Sequence, residues 1–596
     1  MSRHQSTLQQ VQALISAGRA EQARAVLLRA LQKDPGEAWL NNAAAVTWII
    51  QGQFQQAHYF AQRAVRAMPH NPEFQSTYAN ALIGLDQRAE AAACLEQVVA
   101  RHPAYSNARL SLVNALAALD QHARAITHCR EGLAHAPNDR ELKIALAQAL
   151  MNTGQVEEAV SHGSQVLRPG SELPDKAVWL PYAMNYITSI TPAERFDAHR
   201  ALDPVFRAAV TSHKPRPRAV DPEKKLRIGL VSPDLRTHSV AFFIEPLLES
   251  VDASQVEFAC YSTSPREDGV SERLRGHAAL WRHVPAKPSS EIAEQVRRDG
   301  IDILIDLAGL TSGERLAIFA AEPAPIQATY LGYPNTTGLR CIDYRIVDSR
   351  TDPPGREAYA AEQLLRLDPC FLCYKPPASA PRPAATPPSD QSHAITFGSF
   401  NTLIKLSDAT VTLWSRLLEL VPGSKILLKA RQLRDPETCA STIARFTAHG
   451  IDAGRVEVLP ATTSLEEHLN LYGRVDVGLD PVPYAGTTTT CEALWMGVPV
   501  VTLAGETHAS RVGASLLSCI GLEDLITTDP DSFIARAAAL ARDIDARRAF
   551  RSDGPQGLRA RMCASPLCNA PAFAERFTIA MRRLWREACT RDASKP

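Results

Sequence analysis

The sequence lacks any long apolar run. No stretch approaches the roughly 20 consecutive apolar residues that a membrane-spanning helix needs. The opening residues, MSRHQSTLQQVQ, are polar and do not show the basic-then-apolar order of a secretory signal. We therefore expect a cytoplasmic protein with no membrane partner.

An excess of charge of one sign is also missing. The chain has 64 Lys and Arg against 64 Asp and Glu, so no overall field would gather nucleic acid. Of its 12 cysteines, only Cys370 and Cys373 have C-x-x-C spacing, and a zinc ribbon would need a second pair. No Walker motif or GxGxxG is present, and no DxD triad is expected at a strand end. We expect reduced thiols, no nucleic-acid partner, no metal and no cofactor.

A 34-residue period runs through the first third of the chain. Small residues recur at Ala23, Ala57, Ala91, Ala125 and Ala159. Turn-forming residues recur in step at Gly18, Gly52, Asp86, Asp120 and Gly154, and prolines recur at Pro35, Pro69, Pro103 and Pro137. A Gly or Asp fits a tight turn between two helices, an alanine lets those helices approach, and a proline ends the unit. The pattern resembles the tetratricopeptide repeat and predicts a solenoid.

Stacked helix pairs form a concave groove that suits an extended peptide. We expect a polypeptide to bind there, although a rigid stand or a dimerisation surface would have the same pattern. A homodimer is therefore open.

Short apolar runs and helix-length segments alternate from Leu226 onward, which is typical of parallel sheets with crossover helices. The Pro-rich segment 376–392 interrupts this alternation, and we expect it not to pack. The predicted fold is multidomain: an α-solenoid followed by an α/β core of two doubly wound, Rossmann-like lobes. The predicted parts are 1–170 (repeats), 171–222 (degenerate capping helices and linker), 223–375 (first lobe), 376–392 (linker), 393–568 (second lobe) and 569–596 (C-terminal helix and tail).

The segment DPVPYAGTTTTCEALW (480–495) carries the clearest chemical signal. Its threonines open a helix directly after a strand and a turn. Unpaired N–H groups and the dipole at a helix start attract anions, and threonine hydroxyls add further donors. The segment is consistent with a diphosphate site, and equally with a helix cap. Glu492, one turn on, is placed to accept bonds from a ribose.

Several motifs in the same order resemble the O-linked N-acetylglucosamine transferase family, and the resemblance extends over nearly the whole chain. They are SPDLRTHS (232–239), PAPIQATYLGYPNTTG (323–338), FGSFNTLIKLSD (397–408), residues 480–517 and ASPLCNAPAF (564–573). Members join tetratricopeptide repeats to a GT-B core and transfer the sugar from UDP-GlcNAc, with inversion, to Ser or Thr of proteins. The compact bacterial branch is the most similar, because a short bridge stands where the animal enzymes carry an insertion.

The resemblance implies two residues near the reaction, His238 beside sugar and acceptor and Lys405 on the UDP phosphates. His238 matches a histidine proposed as the base, and we leave its proton role open. The implied nucleotide-sugar set is Thr311, Leu331, Gly332, Asn401, Thr402, Lys405, Ala461, His468 (on uracil), Tyr484, Gly486, Thr487, Thr488, Thr489 and Glu492.

Three positions depart from the animal enzymes. Thr402 replaces a glutamine beside the phosphates, Thr487 replaces a histidine near the sugar, and Ala308 replaces an asparagine. These changes spare the diphosphate contacts and reduce the sugar contacts, so GlcNAc and glucose both stay open. The alternatives are therefore a UDP-glucose-dependent N-glycosyltransferase acting on Asn, and a catalytically dead repeat scaffold.

Overall fold

The computed structural model describes residues 4–167, 174–210 and 214–593. The chain divides into two compact units. The first comprises Met1–Val166 with Arg431–Thr442, and the second comprises Leu167–Ala430 with Ile443–Pro596.

The first unit consists of antiparallel helix pairs. Its helices are α1 (Gln5–Ser16), α2 (Ala20–Lys33), α3 (Ala38–Ile50), α4 (Phe54–Ala67), α5 (Pro72–Gly84), α6 (Arg88–Arg101), α7 (Ser106–Ala118), α8 (His122–His135), α9 (Arg140–Asn152) and α10 (Val156–Gly163). The periodic turn residues all have left-handed φ angles, between 61° and 79°. The periodic alanines are all fully buried. The predicted repeat solenoid is confirmed.

Four short helices open the second unit: α11 (Pro174–Ala177), α12 (Trp179–Met184), α13 (Pro192–Arg200) and α14 (Asp203–Ala208). We expected this segment to cap the repeats. In the structure, Val178, Leu202 and Phe206 are buried in one apolar cluster with Leu310 and Tyr333 of the first lobe. The segment is therefore part of the core that carries the cavity described below.

The first lobe has one parallel sheet, in the order β3-β2-β1-β4-β5-β6-β7. Its strands are β1 (Leu226–Ser232), β2 (Val256–Ser262), β3 (Leu280–His283), β4 (Ile303–Asp306), β5 (Ile326–Thr329), β6 (Tyr344–Val347) and β7 (Gln363–Arg366). Its helices are α15 (Ala241–Ser250), α16 (Gly269–His277), α17 (Ser289–Arg298) and α18 (Leu316–Ala320). Strands β1, β2, β4, β5 and β6 fall within the apolar runs that predict them, which are LRIGLVS (226–232), VEFACYS (256–262), DILIDLAG (302–309), IQATYLGYP (326–334) and YRIVDS (344–349).

The second lobe repeats the plan, with the parallel order β10-β9-β8-β11-β12-β13. Its strands are β8 (Thr396–Ser399), β9 (Lys425–Lys429), β10 (Val456–Leu459), β11 (Val477–Leu479), β12 (Val500–Leu503) and β13 (Ile526–Thr527). The helices from the bridge onward are α19 (Ser389–Ser392), α20 (Asp408–Leu420), α21 (Pro436–Thr447), α22 (Leu465–Asn470), α23 (Thr488–Trp495), α24 (His508–Cys519), α25 (Pro530–Arg542), α26 (Ile544–Arg551), α27 (Leu558–Ala564) and α28 (Ala570–Ala593). Two doubly wound lobes confirm the predicted fold class.

The bridge between the lobes, residues 376–392, packs against the second lobe at its C-terminal end. Ser389 is buried and donates from Oγ to Asp476 Oδ1 over 2.5 Å. Arg547 also donates to Ser389 Oγ, over 3.1 Å. The expectation that 376–392 does not pack is therefore wrong at its C-terminal end, where a hydroxyl satisfies a buried carboxylate.

The last helix, α28, packs on the first lobe although it follows the second in sequence. Trp585 Nε1 donates to the carbonyl of Asp221 over 2.7 Å, and Phe577 lies 6.3 Å from Phe258 between ring centroids. The helix therefore links the end of the chain to β2 and to the segment before β1. The predicted limits of the six parts stay predictions.

Candidate active site

The loops that follow the carboxyl ends of strands from both lobes border one cavity of about 320 Å³. Ligands of doubly wound sheets bind beyond these strand ends. The residues of the sequence-predicted site that line this cavity are His238, Leu331, Gly332, Asn401, Thr402, Lys405, Tyr484, Thr487, Thr488 and Thr489. Folding therefore brings together most of a set that is spread over more than 250 positions of the chain.

The threonine segment forms a helix start that opens on the cavity. Helix α23 begins at Thr488, and the side chain of the preceding Thr487 does not cap it. The N–H of Cys491 donates to the carbonyl of Thr487 over 3.1 Å. The N–H groups before Cys491 lie in the first turn, where the helix supplies no acceptors and the positive end of its dipole lies. This end of α23 is suited to an anion.

The turn before α23 is held by a buried carboxylate that the sequence pattern did not single out. Asp480 Oδ1 accepts from the N–H of Gly486 over 3.1 Å and from Thr490 Oγ1 over 3.0 Å. A Cβ at Gly486 would lie 2.9 Å from that same oxygen, so the turn requires glycine. Thr489 Oγ1 donates to Asn401 Oδ1 over 3.1 Å, which fixes the start of the helix to the loop after β8.

Lys405 brings a cation to the same cavity. It ends a 3₁₀ turn, Leu403–Lys405, directly after β8. Its Nζ donates to the carbonyl of Ala485 over 2.7 Å and lies 4.2 Å from the centroid of the Tyr484 ring. Burial lowers the pKa of Lys405 to about 8, and the carboxylate of Asp480 opposes that decrease. An ammonium has three donors, so this group can also bind an anion.

His468 and Glu492 pair with each other and do not line the cavity. His468 Nε2 lies 2.9 Å from Glu492 Oε2, and its Nδ1 lies 2.5 Å from Lys429 Nζ. Phe400 and Tyr472 flank the imidazole, with ring centroids 5.9 and 5.6 Å away. The pair is continuous with the cavity through Tyr472, whose hydroxyl donates to the carbonyl of Thr489. Their contacts with uracil and ribose stay predictions.

Three other predicted residues also lie outside the lining of this cavity. Thr311 donates from both its N–H and its hydroxyl to the carbonyl of Ala308, which closes the turn after β4. Gly486 lies one residue before the threonines that line it, and Ala461 is a half-buried loop residue after β10. Their roles stay predictions.

His238 lines the cavity from the loop after β1. Its Nδ1 lies 3.6 Å from Asp234 Oδ2 and accepts the N–H of Val240 over 3.4 Å. Burial lowers the pKa of His238, while the charge of Asp234 opposes this. A neutral imidazole is therefore favoured at this position.

Two features of the site have no sequence signal. Tyr186 of the segment after α12 stacks on Tyr484, with centroids 4.9 Å apart. His508, at the start of α24, lines the cavity and pairs with Asp352, which is 156 positions away in the chain. Such distant pairs leave no spacing pattern, so only the folded chain shows them.

Comparison with known proteins places the chain. The profile described as "Glycosyl transferase family 41" matches residues 179–373 and 387–577, and a tetratricopeptide repeat profile matches residues 4–170. The chain belongs to glycosyl transferase family 41. The match within this family includes every residue that lines the cavity.

Relatives and a solved structure agree with that membership. The chain is 39% identical to the probable UDP-N-acetylglucosamine–peptide N-acetylglucosaminyltransferase SPINDLY of Arabidopsis thaliana over 415 residues, which is 68% of this chain and 44% of the relative. It is 30% identical over 380 residues to the SEC protein of the same plant, covering 62% of this chain and 38% of SEC. The chain thus spans less than half the length of these curated relatives.

The solved structure is a mutant of the O-GlcNAc transferase of Thermobaculum terrenum. The two chains are 28% identical, the match covers 99% of each, and the TM-score is 0.67. This likeness extends over both the repeats and the family 41 core.

The parts of the chain that the structure describes contain no helix long and apolar enough to cross a membrane. Within residues 4–167, 174–210 and 214–593, no three His, Cys, Asp or Glu side chains are grouped as a metal site.

Proposed function

We propose that the protein is an inverting glycosyltransferase that moves N-acetylglucosamine from UDP-GlcNAc to Ser or Thr hydroxyls of polypeptides. The observation that carries the proposal is the joint presence, on one cavity, of the uncapped start of α23 and the buried ammonium of Lys405. Both favour a diphosphate at the same end of the cavity. The family 41 relatives are named as probable UDP-N-acetylglucosamine–peptide N-acetylglucosaminyltransferases, and those names support the same donor.

Lys405 and α23 would act mainly on the leaving group. When the bond between the sugar and the diphosphate breaks, negative charge grows on the β-phosphate oxygen. A fixed ammonium and fixed N–H groups at that point stabilise the charge without first having to reorganise. The same groups provide a reason for transfer without a divalent metal, which is part of the proposal.

The first lobe would hold the sugar and the acceptor. Leu331 has a left-handed φ of 64°, and a Cβ at Gly332 would collide with the carbonyl of Leu307. The glycine therefore lets this loop pack against the turn after β4, and Leu331 and Gly332 both line the cavity. His238, from the neighbouring loop, lies on the same lining.

We also propose that the groove of the repeats binds the polypeptide acceptor. The predicted residue limits of the six parts, a cytoplasmic location and a homodimer belong to this proposal, and none of them is needed for the chemistry. The contacts of Thr311, Ala461, His468, Gly486 and Glu492 with the nucleotide sugar belong to it as well.

A donor panel tests the function. The purified chain is incubated with a Ser-, Thr- and Asn-containing peptide library and radiolabelled UDP-GlcNAc, UDP-glucose or a GDP-sugar, at equal concentrations. We expect label from UDP-GlcNAc, released by alkaline β-elimination, because that treatment cleaves O-linked and spares amide-linked sugar.

The other outcomes separate the alternatives. Alkali-stable label from UDP-glucose would instead establish the N-glycosyltransferase. Label only from the GDP-sugar would refute the uridine assignment. No label from any donor, together with no binding of UDP in calorimetry, would leave the repeat scaffold.

A further inference from the structure

A histidine and an aspartate from different lobes form a buried pair at the edge of the cavity. His508 is the first residue of α24 in the second lobe, and Asp352 follows β6 in the first lobe. His508 Nδ1 lies 2.5 Å from Asp352 Oδ2, and the two residues are 8% and 3% exposed. The lobes therefore meet at a hydrogen bond that is shielded from water.

Asp352 is itself held in place as an anion. Arg345 Nη2 donates to its Oδ1 over 2.5 Å. Burial alone would raise the pKa of Asp352, but the charge of Arg345 and the hydrogen bond from His508 hold it well below its usual range. The carboxylate is thus ionised and fixed on one side by the arginine, and it has its other oxygen aimed at the imidazole.

This arrangement selects the form of His508. A carboxylate can only accept, so Nδ1 carries a proton and donates it to Asp352. In the neutral ring, Nε2 then has the lone pair. None of the described residues hydrogen-bonds Nε2, and His508 and Val512, one turn further along α24, both line the cavity. The free nitrogen is therefore the one that can accept a proton from a bound molecule.

His238 has the opposite arrangement. Its Nδ1 accepts a backbone N–H, from Val240, and lies 3.6 Å from the nearest carboxylate oxygen, beyond hydrogen-bonding distance. A neutral ring that accepts at Nδ1 carries its proton at Nε2. His238 is consequently set up to donate a hydrogen bond into the cavity, and its nearest carboxylate, Asp234, does not hydrogen-bond the ring.

We propose that His508 is the general base of the transfer and that Asp352 is the residue that positions it. The inference rests on the proposed function. As the acceptor hydroxyl attacks C1 of the sugar, its O–H bond breaks and the proton moves to Nε2 of His508. The new C1–O bond forms, the bond from C1 to the diphosphate oxygen breaks, and its electron pair leaves on the diphosphate. Asp352 stabilises the imidazolium that results, while Lys405 and α23 stabilise the leaving group.

The rate should then depend on a free lone pair at Nε2 of His508. The charged and titratable residues that line the two adjoining cavities with it are Arg195, His238, Arg345, Asp352, Arg356, Tyr359, Lys405, Tyr484 and Glu506. Asp352 and Arg345 form the buried network with it, and His238 is the rival group whose titration has to be separated.

The test compares His508→Gln, Asp352→Asn and His238→Phe with wild type and with His449→Gln, a change at an exposed histidine. Steady-state transfer is measured from pH 5.5 to 9, and UDP affinity is measured by calorimetry. We expect His508→Gln to lower kcat by about 10²- to 10⁴-fold, the usual contribution of a general base, while UDP affinity stays within about threefold. Asp352→Asn should lower kcat more than it changes KM, because it disturbs the tautomer of the His508 ring and leaves the nucleotide site unchanged. His449→Gln should match wild type.

The pH profiles of wild type and His238→Phe test the inference even if His508→Gln folds poorly. Wild-type activity should fall in acid, as catalysis by a general base requires, and His238→Phe should retain that acid limb whatever its remaining rate. A kcat for His508→Gln within twofold of wild type, or loss of the acid limb in His238→Phe, would overturn the inference alone. A wild-type chain that transfers no sugar would overturn the proposed function together with it.

Discussion

The repeat array and the family 41 core are stabilised in different ways. In the array, the same alanines are buried and the same turn residues have left-handed φ angles every 34 positions. In the core, buried charges pair with partners that are distant in the chain, as Asp352 does with His508 and Ser389 does with Asp476. A solenoid repeats local contacts, whereas a site between two lobes requires contacts that only the complete fold supplies.

The comparison predicts the largest effect for a substitution of Lys405, which should lower activity strongly and change stability little. Lys405→Ala should lower kcat/KM by about 10²- to 10³-fold, because one preorganised donor to the leaving group is lost. Thermal unfolding should change little, since the ammonium loses hydration on burial and has one carbonyl partner. Transfer kinetics and a melting curve measure the two effects.

The pH dependence of UDP affinity provides a second test of Lys405. The pKa of Lys405 is about 8 in the free protein, so rising pH removes the positive charge that attracts UDP. Wild-type affinity for UDP should fall above about pH 8, and Lys405→Ala should show a flatter profile. Lys287→Ala, at an exposed lysine, is the control. Near-normal turnover in Lys405→Ala would contradict its assignment.

The converse effect is expected in the array, where stability should change and chemistry should not. Ala91 is fully buried in α6, and Ala91→Leu should destabilise the repeats by about 1–3 kcal/mol through overpacking. Hydrogen exchange in α5 and α6 should become faster, while UDP affinity stays within twofold. Ala89→Leu, at an exposed position of the same helix, is the matched control. Equal exchange rates in the two variants would show that the periodic alanine does not limit packing.

The smallest effect on stability is expected for a substitution in the turn between the two helices of a repeat. Gly52 has a φ of 70° and open space where a Cβ would lie, so Gly52→Ala tests the backbone alone. The left-handed conformation should cost alanine about 1 kcal/mol. Gly36 also has open space but lacks a left-handed φ, so Gly36→Ala should be nearly neutral. Chemical denaturation of both variants checks the difference. Similar midpoints would show that the left-handed conformation at position 52 does not require glycine.

The sequence predicted central strands better than edge strands. Runs such as LRIGLVS and VEFACYS coincide with β1 and β2, because strands covered on both faces are almost wholly apolar. Three of the four edge strands, β3 (LWRH), β7 (QLLR) and β13 (IT), lack the signal, because partial exposure permits polar residues. The fourth edge strand, β10 (VEVL), keeps an alternating apolar pattern and its signal.

For the candidate site, the sequence predicted the local motifs but not the long-range side-chain contacts between them. The threonine helix start follows from adjacent residues, and Lys405 follows from a family resemblance. The pairing of His468 with Glu492 and Lys429, and the stacking of Tyr186 on Tyr484, depend on loops that the sheets bring together.

By itself, then, the sequence determined the repeat solenoid, the two doubly wound lobes and the threonine-rich start of α23, since each follows from periodicity or from neighbours along the chain. Only the tertiary structure decided which ring nitrogen of His508 is held by a carboxylate, because that carboxylate, Asp352, is delivered from the other lobe. Hydrogen-bond direction at an imidazole is set by its partner in space, and the order of residues does not encode that partner.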